Sequence, residues 1–253
     1  MPMLNFRLLD PSVLIDIGKI PELTGIAEAD DGLTIGALTR HIDLETSALI
    51  AKYFPVLKEA VRHVAHVAIR NRGTLGGSLC HADPAAELPM MAVLLDAALS
   101  VSGPEGERRV PAEAFFLGAL TTDLEDEEIV TQIHLPYLPA ETGWGFEEVS
   151  RRSGDFALAA AAAAITLDNG KCANARLAVT GVDDLPMRMG AAEEVLNGSA
   201  LDDAAIMAAA QIVCDEVNPN SDVQASADYR RHLIGVLVGR VLRRARTCVG
   251  GGA

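Results

Sequence analysis

The chain has 253 residues, of which 49% are hydrophobic but only 4% aromatic, and a formal net charge of −14. That is enough apolar residue for one large or two medium domains with cores of small aliphatic side chains. The acidic balance argues against a nucleic-acid partner, whose phosphates need a basic surface, and reads first as plain solubility.

The first residues are those of a domain interior rather than a tail: Met1-Pro2-Met3-Leu4-Asn5-Phe6-Arg7-Leu8-Leu9. Charges at Arg7, Asp10, Asp16 and Lys19 exclude a signal peptide. Val13-Leu14-Ile15-Asp16-Ile17 is expected to form a short strand. Gly25-Ile26 and Leu33 to Ala37 flank Asp30-Asp31-Gly32, a hairpin turn, so the chain opens as a small β unit. Thr39 is expected to cap a helix that carries Asp43 and Glu45 in its early turns. Pro55 suits the first position of a second helix, with Val56, Leu57, Ala60, Val61 and Val64 on its buried face. His63 and His66 beside that face read as satisfied surface histidines. A third helix is expected over Ala85 to Ala97, with Leu88, Met91, Leu94 and Leu95.

Farther on, Leu99 to Ser102 and Arg108 to Val110 flank a second hairpin turn, Gly103-Pro104-Glu105-Gly106. Asp123 to Glu128 reads as a solvated acidic loop, and Ile129 to Leu135 as a strand stopped by Pro136 and Pro139. A domain boundary is placed near Thr142-Gly143. Trp144 to Val149 is expected to be a strand, and Arg151 to Ala157 a polar turn. Alanine content alone makes 157–164 helical. The tight turn Asp168-Asn169-Gly170 and the run Ala175 to Thr180 favour an antiparallel hairpin instead. Helices are expected at Ala191 to Leu196, Asp203 to Val217 and Ala227 to Arg246, the last with Leu233, Val236, Leu237 and Val241 inward. Arg240, Arg243, Arg244 and Arg246 read as a solvated helix end that suits the helix dipole, or as a docking patch for an acidic partner. Residues 248–253 are expected to be a disordered tail.

Cys80, Cys172, Cys214 and Cys248 are scattered, with no C-x-x-C pair and no histidine at ligand spacing, so neither an iron–sulfur cluster nor a structural zinc is expected in this chain. Free thiols fit a reducing cytoplasm. The longest apolar run, Phe156 to Ile165, is too short to cross a bilayer, so no transmembrane segment is expected.

The stretch from Ile69 to Pro89 holds Gly73, Gly76, Gly77, Pro84 and Pro89 between two long apolar patterns. Gly76-Gly77 is read as a sharp turn open to close approach by a ligand, with Thr74 and Ser78 as flanking hydroxyl donors. Successive N–H groups in such a turn can form a nest for a phosphate. Alone, a glycine pair is more often an ordinary turn. No Walker A, HExxH, G-x-S-x-G or G-x-G-x-x-G pattern occurs.

This stretch resembles the central motif of a known family, the FAD-binding medium subunit of the molybdenum hydroxylases, of the carbon monoxide and xanthine dehydrogenase type. The family pattern is Ile-Arg, Gly-Thr-Ile/Leu-Gly-Gly-Asn/Asp/Ser, then an Ala/Pro-rich run to an acidic residue and Leu/Met-Pro; here it runs from Ile69-Arg70 to Leu88-Pro89. The resemblance extends through the Ile129–Pro136 strand and Arg151 to Ala159 to essentially the whole chain. It implies an α+β fold, with an FAD-binding domain (1–142) lacking its start and a C-terminal domain (143–247) of antiparallel sheet and helices. It further implies that Thr74, Leu75, Gly76, Gly77 and Ser78 wrap the FAD pyrophosphate. Glu87 stands where relatives carry an aspartate near the cofactor, and Val130 where a strand residue touches it. Glu147 stands where some relatives carry a cofactor-contacting lysine, and no role is transferred to it. Cys80 reads as a packed residue, not a redox thiol.

No residue here is expected to be catalytic. The implied role is that of an oxidoreductase subunit that passes electrons from a small iron–sulfur subunit with 2Fe-2S clusters, through FAD, to an external acceptor. A large molybdopterin subunit would carry out the hydroxylation, in a cytoplasmic dimer of heterotrimers, or one peripheral at the inner membrane. The family's first glycine loop, Ala-Gly-Gly-x-Ser/Asp-Leu, does not occur in the sequence. The alternative expectation is therefore a truncated subunit that no longer binds FAD and serves structure or assembly.

Overall fold

The computed structural model describes Leu4 and residues 10–249. Apart from Leu4, the interior-like opening residues lie outside that range, as do 250–253.

The first half is built on a five-stranded antiparallel sheet. Its strands are β1 (Ile26–Ala29), β2 (Gly32–Gly36), β3 (Ala98–Gly103), β4 (Gly106–Pro111) and β7 (Ile129–Pro136), in the order β1-β2-β7-β3-β4. Two-residue turns at Asp30-Asp31 and Pro104-Glu105 close the two expected hairpins. A minor ribbon, β5 (Phe116–Gly118) and β6 (Thr121–Thr122), lies between.

The expected strand at Val13–Ile17 does not form. The segment is irregular, and Val13, Leu14 and Ile15 are exposed, because β1 is the sheet edge and no described residue pairs with them there. The acidic loop also differs from the expected solvated one. It folds around Arg108 of β4, whose guanidinium binds Glu128 at 2.7–2.8 Å and Asp123 at 2.6 Å. This ion pair holds the Glu128 carboxyl down at about 2.

Seven helices cover this sheet among the described residues: α1 (His41–Thr46), α2 (Ala48–Tyr53), α3 (Pro55–His63), α4 (Val67–Arg70), α5 (Leu75–His81), α6 (Glu87–Leu94) and α7 (Ala112–Phe115). In α3, Val56, Leu57, Ala60 and Val61 are buried; Val64 is the extended residue that ends the helix. Helix α6 is shorter than the sequence suggests and buried along its whole length. An apolar run enclosed on all sides has no amphipathic edge to mark its ends.

The second half is a four-stranded antiparallel sheet in the order β11-β10-β9-β8, made of β8 (Gly143–Val149), β9 (Ala159–Asp168), β10 (Lys171–Thr180) and β11 (Met187–Arg188). The alanine run is strand, not helix. Asn169 (φ 49°) and Gly170 (φ 77°) form the left-handed pair of a type I′ hairpin turn. Alternate residues of β9 enter two cores: Ala160 and Ala162 face the first half, while Ala159, Ala161, Ala163 and Ile165 face α8 (Gly190–Leu196), α9 (Asp203–Glu216) and α10 (Ala227–Cys248). A strand buried on both faces reads as a continuous apolar run.

Helix α10 buries Ile234, Leu237, Val238, Val241, Leu242 and Ala245. Val236, expected inward, is partly exposed, and Cys248 belongs to the helix rather than to a tail. The basic helix end is neither simply solvated nor a free patch. Arg240 pairs with Glu147 at 3.3 Å, Arg243 with Asp203 at 3.3 Å, Arg246 donates to Leu201 O at 2.8 Å, and Arg244 stacks on Trp144.

The halves pack directly. Pro84 O accepts from Gly181 N at 2.9 Å and Thr180 Oγ1 at 2.7 Å. Asp96 bonds Arg176 at 3.0 Å and Arg188 at 2.6 Å, and His63 stacks on Phe146. No described helix is long and apolar enough to cross a membrane.

Candidate functional site

The glycine motif departs from its expected form: it is the first turn of α5, not a sharp loop. Thr74 is extended (φ −119°, ψ 154°) and caps the helix, its Oγ1 accepting from Gly77 N at 3.2 Å. Neither Gly76 nor Gly77 has positive φ. Gly76 is required by packing, since a Cβ there would lie 2.7 Å from Ala37 Cβ and 2.8 Å from Ala37 O. At Gly77 a Cβ would meet only Thr74 Oγ1, at 2.8 Å, so it would push against the cap.

The segment leaving β2 locks this turn in place. Ala37 N donates to Thr131 O of β7 at 3.0 Å, and Ala37 O accepts from Gly76 N at 2.8 Å. Thr39 O accepts from Leu75 N at 2.9 Å, and His41 N donates to Gly73 O at 3.0 Å. Thr39 does not cap α1 as expected. Its hydroxyl bridges Gly25 N and O at 3.0 Å each, and the cap moves to Arg40, whose N–H donates to Asp43.

His41 is the residue the sequence reading missed. Its ring is buried, and Nε2 lies 3.0 Å from Thr74 O. A carbonyl only accepts, so Nε2 carries the proton and Nδ1, buried without a partner, does not. Burial, with a smaller push from the Arg70 charge, holds the imidazole below its ordinary range and so neutral. Arg70 of the Ile-Arg motif is structural. It bonds Glu45 at 2.8 Å and the carbonyls of Val64 and Ala65 at 3.0 and 3.1 Å.

The sequence-expected residues divide by what they present. Leu75 and Gly76 are buried and their N–H groups are already taken; Thr74 and Ser78 are half-buried, and Gly77 is exposed. Val130 is a buried residue of β7, joined to Gly76 through the hydrogen bonds of Thr131 and Ala37. The Thr74, Gly77 and Ser78 face is thus the exposed N-terminal end of a helix, with two hydroxyls, the Gly77 N–H being held by the Thr74 cap and the Ser78 N–H by Thr74 O. That donor set fits a phosphate.

Glu87 begins α6 and is 4% exposed. Burial raises its carboxyl, and that of Glu148 on β8, above the ordinary carboxyl range. Burial also lifts the Cys80 thiol to about 11, which leaves it protonated. A separate cleft of about 230 Å³, lined by Pro84, Phe156, Gly181, Asp183, Asp222 and Arg230, holds acids whose oxygens are already engaged. Asp183 accepts from Asn218 N, and Asp222 from Ala225 N and Arg230.

A helix N-terminus clamped between two strands, in front of a second sheet domain, defines a class. The chain belongs to the FAD-binding medium-subunit family of the molybdenum hydroxylases. Residues 1–138 match the FAD-binding domain in molybdopterin dehydrogenase, and residues 144–245 the CO dehydrogenase flavoprotein C-terminal domain. Among individual relatives, the chain is 42% identical to the 6-hydroxypseudooxynicotine dehydrogenase complex subunit alpha of Paenarthrobacter nicotinovorans, over 97% of this chain and 83% of that one. It is 38% identical to the nicotine 6-hydroxylase medium subunit of the same organism, over 97% and 86%. The carbon monoxide dehydrogenase structure from Hydrogenophaga pseudoflava superposes with a TM-score of 0.96 at 37% identity, covering 98% of this chain and 87% of that one.

Proposed function

We propose that this chain holds FAD and passes electrons from an iron–sulfur partner through that cofactor to an external acceptor. In this reading, residues 1–142 form the FAD-binding domain and 143–247 the C-terminal flavoprotein domain. A large molybdopterin subunit and a small 2Fe-2S subunit complete a cytoplasmic dimer of heterotrimers. The observation that carries the reading is the capped, open N-terminus of α5 within this family's fold. FAD, when bound, supplies reversible one- and two-electron redox chemistry; the protein contributes binding and electrostatics.

The Thr74 and Ser78 hydroxyls would donate to the pyrophosphate, with the exposed backbone of Gly77 alongside. Leu75 and Gly76 would shape the turn from beneath, and the β7 backbone near Val130 would flank it. His41 fixes the Thr74 carbonyl and so aims the turn. None of these groups needs to exchange a proton during electron transfer.

The test is the visible spectrum of the chain purified with its native partners. Bound flavin is the expected result, with FAD content falling at least severalfold in the Thr74→Ala, Ser78→Ala double variant. A folded, colourless chain that still co-purifies with molybdopterin and iron–sulfur partners would replace this reading with a purely structural subunit.

A further inference from the structure

The sequence contains the pair Asn-Gly twice, at 169–170 and at 197–198. The chemistry open to the pair is the same in both places. A glycine N–H, with no Cβ to shield it, can attack the side-chain amide of the asparagine before it. The new bond from nitrogen to Cγ closes a cyclic imide, the Cγ–Nδ2 bond breaks, and Nδ2 leaves as ammonia with the proton given up by the glycine nitrogen. Water then opens the imide at either carbonyl and leaves an aspartate or an isoaspartate. The fold decides whether the two reacting groups are free to meet.

At Asn197 both groups are held. The residue ends α8, and its Oδ1 accepts from Ala175 N at 2.9 Å and from Cys172 Sγ at 3.6 Å. The nitrogen that would attack, Gly198 N, donates to Cys172 O at 2.7 Å. At Asn169 the attacking nitrogen is free. Asp168, Asn169 and Gly170 are exposed at the tip of the β9–β10 hairpin, and no described group accepts from Gly170 N. Among the described residues the Asn169 side chain has one tie, an exposed hydrogen bond from Nδ2 to Asp168 Oδ1 at 3.0 Å.

We propose that Asn169 is a site of spontaneous deamidation in the folded chain, and that the fold protects Asn197 from the same reaction. The step needs only water and is independent of any cofactor. Its consequence is local. An isoaspartate adds a carbon to the backbone of a type I′ turn built for two left-handed residues, and either product sets a new carboxylate beside Asp168. The same hairpin end holds the corner that follows α8: Cys172 N donates to Ser199 O at 2.8 Å, and Cys172 O accepts from Gly198 N. Conversion of Asn169 therefore loosens the Lys171–Cys172 end of β10 and with it the corner at 197–199, while Ile165, farther down β9, stays fully buried.

The experiment ages the full chain at neutral and at mildly alkaline pH and maps its peptides by mass spectrometry, with isoaspartyl methyltransferase labelling to mark isoaspartate. The Asn169 peptide is expected to gain the mass of an amide-to-acid exchange, faster at the higher pH. The Asn197 peptide should convert at least about tenfold more slowly, because its hydrogen bonds must break before the ring can close. In denaturant the two rates should converge. An unchanged Asn169, an Asn197 that keeps pace with it in the folded chain, or a rate ratio that survives denaturation each overturns the proposal. The loosening has its own readout. Ageing should speed amide hydrogen exchange at Lys171 to Ala173 and at Gly198 and Ser199 in wild type. It should not do so in Asn169→Gly, whose Gly-Gly turn keeps the left-handed pair without the amide. No change in wild type, or equal changes in both chains, would overturn the local consequence.

Discussion

At the scale of single residues, the site depends on two that the motif does not contain, Ala37 and His41. Ala37 must be small and Gly76 must lack a Cβ, because the turn of α5 sits directly on the Ala37 backbone. Gly76→Ala is expected to destabilise the fold by about 1–3 kcal/mol, as overpacking does, with FAD lost in parallel; chemical denaturation checks it. Gly77→Ala should act more on the cofactor than on stability, since its Cβ meets only the Thr74 hydroxyl. His41 gives a pH dependence whose sign is fixed by burial. Its imidazole lies below 6.5 in the fold, so the unfolded chain binds more protons as pH falls below that value. Stability should therefore drop from about pH 6.5 downward, and His41→Gln should flatten that part of the profile in a thermal-melt series. Nothing in the sequence around His41 marks it. The only signal is the short polar break Thr39-Arg40-His41 between a strand and a helix.

At the scale of elements, the C-terminal hairpin was legible because its turn chemistry outweighed its composition. Asn169-Gly170 demands two left-handed residues, and no helix through 157–164 would deliver the chain to that turn. Gly170→Ala, at φ 77°, is expected to destabilise by roughly 1 kcal/mol, read as a shift in the melting midpoint. The alanine strand explains its own composition: both faces pack at close range, against the first half and against α10. Ala162→Leu should consequently lower stability by about 1–3 kcal/mol even though leucine is the more hydrophobic residue. Elsewhere local pattern was not enough. Val13–Ile17 has a strand's composition, but a strand needs a partner, and none of the described residues supplies one. The glycine motif was legible as a binding element and misread in shape. Thr74 followed by two glycines looks like a turn, whereas the cap it forms on Gly77 N starts a helix. The ends of α6 were unreadable because it is buried all round. The partners of Arg108 and of the α10 arginines are tertiary facts that no window of sequence contains.

At the scale of the molecule, the two sheets behave as one body because their interface is not apolar alone. The even alanines of β9 close the first core, and a polar set surrounds them: Pro84 with Thr180 and Gly181, and Asp96 with Arg176 and Arg188. Asp96 is the single carboxylate that serves both arginines across the boundary. Arg188 keeps Glu193 as a second partner within its own half, whereas Arg176 Nη1 is already buried without a bond, and burial pulls the Arg176 guanidinium below its usual range. Removing Asp96 thus leaves Arg176 as an unpaired cation in a half-buried site. Because the Asp96 side chain itself is 47% exposed, water screens part of the loss, and Asp96→Ala is expected to destabilise by about 1–2 kcal/mol, less than a fully buried pair. The location of the loss matters more than its size. Severing an interface tie should weaken the coupling between halves more than either core, so calorimetry is expected to show one transition for wild type and a broadened or split one for Asp96→Ala. Arg108→Ala offers the control, since its partners Asp123 and Glu128 lie within the first half. It should shift the midpoint without splitting the transition. Equal effects on transition shape from both variants would show that the halves do not depend on the Asp96 bridge to unfold together.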